Sequence, residues 1–151
     1  MISLKQILLE ANINKELFQI IDSKYPEFLD KVKSHPNFVV LQAYEVDRYP
    51  IGKPNQCEQN TLDFIKRRLE YKDNVFPVGG YLLAGDNLHP VEHYWVYDKS
   101  DNEFLEVTPV RYVKGYIGII NYDINDSIKN AINYWDVDFF KGGHVYSKYF
   151  K

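Results

Sequence analysis

Near Asp73-Asn74 the hydrophobic period of this chain changes, and that change most limits what it can fold into. Before it, apolar residues recur at helical spacing; after it, β-branched and aromatic residues fill short runs separated by turn residues. Leu4, Ile7, Leu8 and Ala11 mark a first helix, interrupted at Asn12 and Asn14. Leu17, Ile20, Ile21, Phe28, Leu29 and Val32 carry a second helical stripe, which Pro26 should bend or split and which stops near Ser34-His35-Pro36. Residues 38–44 read as a strand and 49–55, rich in Pro and Gly, as a loop. Thr61, Phe64, Ile65 and Leu69 give the buried face of a further helix. Strand-like runs follow at 75–84, 91–97, 104–107 and 116–122, the first interrupted by Pro77 and Gly79-Gly80. A short helix is expected at 124–134 and a last strand at 144–150.

Helices followed by mainly antiparallel strands indicate the α+β class. The length of 151 residues suits a single domain over 1–151, with a helical part at 1–36 and a core at 50–122. Hydrophobic content of 45% beside 26% charged residues is globular and not disordered. The net charge of −3 offers no basic footprint for nucleic acid, since the one basic run, Lys66-Arg67-Arg68, reads as a solvated helix face. The N-terminus lacks the pattern of a secretory signal, and no apolar run approaches the roughly 20 residues of a membrane span. A single cysteine excludes an internal disulfide, which suits a reducing compartment, so a cytoplasmic location is expected.

That cysteine stands at a helix start. Asn55 reads as the N-cap with Glu58 three residues on, which makes Cys57 the second helical residue. Backbone N–H groups and the positive end of the helix dipole then favour a thiolate there, and the N–H of Cys57 can stabilise an oxyanion. The plain alternative is a small buried hydrophobe. Among four histidines, His35 and His89 precede prolines and His144 follows Gly142-Gly143, whereas His93 lies in a strand-like run. Alternation puts Val91, His93, Trp95 and Tyr97 on one face, and Phe104, Glu106 and Thr108 on one face of the next strand. An even-numbered loop between them makes His93 and Glu106 same-face neighbours; an odd loop without a bulge separates them.

A cysteine at a helix start, Glu92-His93-Tyr94-Trp95-Val96, then Leu105-Glu106-Val107-Thr108-Pro109 resembles the papain-like and transglutaminase-like cysteine enzymes. The resemblance spans about residues 50–110 and implies a papain-like core with Cys57 as nucleophile, His93 as general acid/base and Glu106 as orienting acid. Glu106 stands where such enzymes more often have Asp, and Glu58 where transglutaminase-like ones carry an aromatic residue. Gln56 and the more distant Gln42 are candidates for a second oxyanion donor, and Gly80, Tyr81 and Trp95 for substrate contact. The expected activity is attack on an amide or other acyl group through a thioester, as in a peptidase, deamidase, amidase or transglutaminase. Its substrate would be a peptide, a protein or a small amide, with no cofactor.

Two other readings stay open. His89-Pro90-Val91-Glu92-His93 spells H-x-x-E-H, a zinc-peptidase pattern that needs a helix; Pro90 and the β-rich run predict a strand, where His89 and His93 stand roughly 13 Å apart. A non-catalytic, aromatic-rich binding module would use Tyr81, Tyr94, Trp95, Tyr97 and Tyr112 as core and groove, with Cys57 a passenger.

Overall fold

A computed structural model describes residues 14–26, 35–72, 74–133, 135 and 137. The helix expected around Leu4–Ala11, the stripe residues Phe28, Leu29 and Val32, and the strand expected at 144–150 lie outside the described residues. Those described form helices on a six-stranded sheet, an α+β arrangement.

Helix α1 spans Lys15–Lys24, and the side chain of Asn14 caps it by accepting from the Leu17 N–H at 3.1 Å. It ends before Tyr25-Pro26, so Pro26 follows this helix instead of bending it. Strand β1 (Phe38–Gln42) gives way at Ala43–Glu45 to one 3₁₀ turn, which Glu45 stabilises by accepting from the Gln42 N–H at 2.7 Å. Strand β2 (Val46–Arg48) follows directly. After the loop come helix α2 (Cys57–Leu69), strands β3 (Val75–Ala84), β4 (His89–Asp98), β5 (Glu103–Glu106) and β6 (Val113–Ile120), and helix α3 (Asn125–Asn130).

The spatial order is β1-β6-β3-β4-β5-β2, antiparallel except for the parallel pair β2/β5. β1 and β2 are opposite edges, yet only Ala43–Glu45 joins them. A flat sheet would hold those edges roughly 24 Å apart, beyond what three residues reach, so the sheet curls into a partial barrel. Val39 and Leu41 of β1 accordingly share one buried cluster with Val46 of β2, Phe104 of β5 and Trp95 of β4. On the outer face, Leu17, Phe18 and Ile21 of α1 cover Phe38, Tyr81, Leu83 and Ile117. Leu62, Phe64, Ile65 and Leu69 of α2 cover Tyr94 and Val96 beside them.

Strand β3 is not interrupted. The Pro77 carbonyl accepts from the Asn121 N–H at 3.0 Å, so the proline nitrogen points past the end of β6 and no ladder bond is lost. Gly80 keeps the regular ladder: it faces Gly118 and His93 in register, and a Cβ on it would stand 2.1 Å from the Ile117 carbonyl oxygen. Glycine here lets β3 and β6 pair closely. The 38–44 strand is shorter than its composition predicts, and so is the 124–134 helix.

Candidate active site

Helix α2 begins one residue later than its sequence predicts. Asn55 adopts a positive φ of 63° and cannot serve as the cap; Gln56 is the N-cap, without a side-chain cap bond, and Cys57 is the first helical residue. The first intrahelical bond runs from the Asn60 N–H to the Gln56 carbonyl at 2.9 Å. The N–H groups of Cys57, Glu58 and Gln59 therefore precede the helical ladder and have no intrahelical acceptor.

The β4/β5 hairpin turns through the four residues Lys99–Asn102, the even loop that keeps His93 and Glu106 on one face. The register pairs Val96 with Leu105, Tyr97 with Phe104 and Asp98 with Glu103, and hydrogen bonding between the two strands stops there. Extended by one residue, that register sets Trp95 across from Glu106 and makes His93 the diagonal neighbour of Glu106. Where the two strands part, the N-terminus of α2 enters: Cys57, His93, Glu106 and Thr108 line one cavity of about 740 Å³.

His93 is 5% exposed and Glu106 1%. His93 Nε2 lies 2.6 Å from Glu106 Oε1. With Nε2 engaged by the carboxylate, Nδ1 is the ring atom left for the thiol. Burial pushes the imidazole pKa down, but hydrogen bonding to Cys57 and Glu106 and their charges outweigh it and raise the pKa to about 9. At neutral pH the ring is thus an imidazolium held between sulfur and carboxylate.

Glu106 is itself held. Tyr116 Oη donates to Oε1 at 3.0 Å, and the Thr108 N–H donates to Oε2 at 3.2 Å. Burial first, then the Glu106 charge, raises the Tyr116 pKa far above its ordinary value, so the phenol stays a donor. Asn60, one turn along α2 from Cys57, donates to Thr108 Oγ1 and to the Lys53 carbonyl, each at 3.0 Å. It ties the cysteine helix to the strand end that carries the acid. Neither Tyr116 nor Asn60 is marked by local sequence. The available signal was a general one: a buried Tyr hydroxyl needs a partner, and a buried carboxylate needs donors.

Trp95, Gly80 and Tyr81 do not line this cavity. Trp95 is fully buried, stacked beside the His93 ring at 6.2 Å, with its six-membered ring over Gly118, where a Cβ would meet Cη2 at 2.6 Å. It forms the wall behind the imidazole. Tyr81 points to the outer face beneath α1, because it alternates with Gly80. Gln56 is exposed and does not line the 740 Å³ cavity, though it shares a second, smaller pocket with Cys57, Glu58 and Gln59; Gln42 ends β1 and caps the 3₁₀ turn. The zinc reading fails on geometry. His89, Glu92 and His93 are in strand β4, where His89 and His93 stand roughly 13 Å apart, and among the described residues no group of three or more His, Cys, Asp or Glu is arranged to hold a metal ion. Among the described residues, no helix is long and apolar enough to cross a membrane.

Comparisons of the chain with protein-family models, curated proteins and solved structures find no match.

Proposed function

We propose that this protein is a papain-like cysteine enzyme acting on an amide or related acyl group through a thioester. The observation that carries the reading is His93, buried between Cys57 and a carboxylate 2.6 Å from its Nε2. A passenger cysteine needs no such partner, and a buried ion pair without a task is costly to retain.

In the proposed reaction the Cys57 sulfur attacks the acyl carbon, and the carbonyl oxygen takes the negative charge within reach of the Cys57 N–H at the start of α2. The carbon–nitrogen bond breaks, and the proton on His93 Nδ1 passes to the departing amine. Water then attacks the thioester carbon, giving one proton to His93, and the acid and the free cysteine separate. An amine in place of water gives transamidation by the same steps. Glu106 takes no proton; it fixes the ring and offsets the imidazolium charge, and Tyr116 and Thr108 fix Glu106.

The test is the rate of Cys57 alkylation by iodoacetamide against pH, in the native chain and in His93→Ala. The reading expects fast alkylation already at pH 6.5, where an unassisted thiol is almost wholly protonated, and a loss of about tenfold or more in the variant. Slow alkylation indifferent to His93 would overturn it in favour of a binding module with a structural cysteine.

A further inference from the structure

The acyl chemistry leaves the charges at the mouth of the cavity unused. Arg48, the last residue of β2, and Arg111, beyond the end of β5, both line it. Arg48 Nη1 donates to the Val110 carbonyl at 3.1 Å, which anchors that guanidinium at the rim next to Arg111. Among the described residues, neither arginine has a carboxylate within 4.0 Å. Among the described residues, the acids lining the cavity are Glu106, bound to His93, Tyr116 and Thr108, and Glu92 of β4. Among the described residues, two guanidiniums therefore share the lining of this cavity with Cys57, beside the apolar Pro50, Pro54 and Val91. Guanidinium groups so arranged match a planar anion.

We propose that Arg48 and Arg111 select acyl donors that carry a carboxylate beside the group Cys57 attacks, as in an acidic peptide or a chain end. The substrate class rests on the cysteine chemistry proposed above, but its charge selectivity is read separately from reactivity.

Iodoacetate and iodoacetamide provide the test, since each forms the same sulfur–carbon bond with loss of iodide and they differ in carrying a carboxylate or a neutral amide. The ratio of their rate constants at Cys57 is measured in the native chain, in Arg48→Gln, in Arg111→Gln and in Arg67→Gln, which removes a charge on α2 away from the cavity. The expected result is a fall of about threefold in the ratio for each rim arginine, little change in Arg67→Gln, and convergence of all four chains in 1 M salt. Arg48→Lys, which keeps the charge but not the guanidinium contact to Val110, should retain most of the ratio; a fall as large as in Arg48→Gln would assign the effect to the lost contact and overturn the selectivity. An equal ratio in the native chain and both rim variants, or an equal fall in Arg67→Gln, would overturn the selectivity. The ratio can be read whether the thiol is fast or slow, so failure of the cysteine reading shows in the iodoacetamide rate alone.

Discussion

Tyr116 donates its phenolic proton to the same Glu106 oxygen that faces His93, at 3.0 Å from the hydroxyl and 2.6 Å from the imidazole. The two side chains come from β6 and β5, three places apart in the sheet. In a flat sheet roughly 14 Å would separate those strands, so the curl of the barrel makes the contact. A carboxylate buried to 1% exposure is tolerable because three donors meet it.

Tyr116→Phe therefore removes one of those donors without changing the packing of the ring. We expect a loss of about 2 kcal/mol in urea denaturation, the usual cost of a buried hydrogen bond to a charged group. Glu106→Gln should do something different: the imidazolium loses its counter-charge while remaining buried, so the His93 pKa falls from about 9 towards or below its ordinary 6.5. NMR titration of the His93 ring reads this directly. An unchanged midpoint in Glu106→Gln would mean that the carboxylate does not hold the proton.

The raised His93 pKa also makes stability depend on pH with a defined sign. The unfolded histidine loses its proton near 6.5 and the folded one near 9, so between these values the folded chain binds the extra proton. The stabilisation is complete below about pH 6.5 and is lost as pH rises through about 9, and its full size is on the order of 3 kcal/mol. Urea midpoints at pH 6.5, 8 and 9.5, taken as the difference between the native chain and His93→Gln, should show this decline. A difference independent of pH would refute the buried imidazolium.

Gly80→Ala separates packing from chemistry. A methyl group there stands 2.1 Å from the Ile117 carbonyl oxygen and 2.6 Å from the Gly118 Cα, so β3 and β6 must move apart. The expected cost is about 3 kcal/mol of stability. At a temperature where the variant remains folded, its Cys57 alkylation rate should stay within about twofold of the native rate. A stable variant with a much slower thiol would instead return Gly80 to the surroundings of Cys57.

Much of the site could be read locally. The period of two residues in a strand fixes which side chains share a face, and the four-residue loop Lys99–Asn102 preserves that face across the hairpin, so His93 and Glu106 are related by counting alone. The helix at Cys57 follows from the spacing of Thr61, Phe64, Ile65 and Leu69. Its start was less legible, because the choice between Asn55 and Gln56 as cap rests on one residue's φ, which the surrounding loop sets.

Long-range placement belongs to the tertiary structure. Nothing near Tyr116 indicates that β6 lies between β1 and β3, so its partner Glu106 could not be named from the sequence. The same holds for Asn60 and Thr108, 48 residues apart and joined only where β4 and β5 part. Gly80 and Trp95 look in the sequence like contacts for a substrate, whereas the fold uses them as close backbone approach and as the wall behind His93. Local sequence determines the period and the face of each element through backbone geometry and side-chain alternation. Which faces meet is decided by strand order and sheet curl, which depend on burying the apolar surface of the whole chain at once.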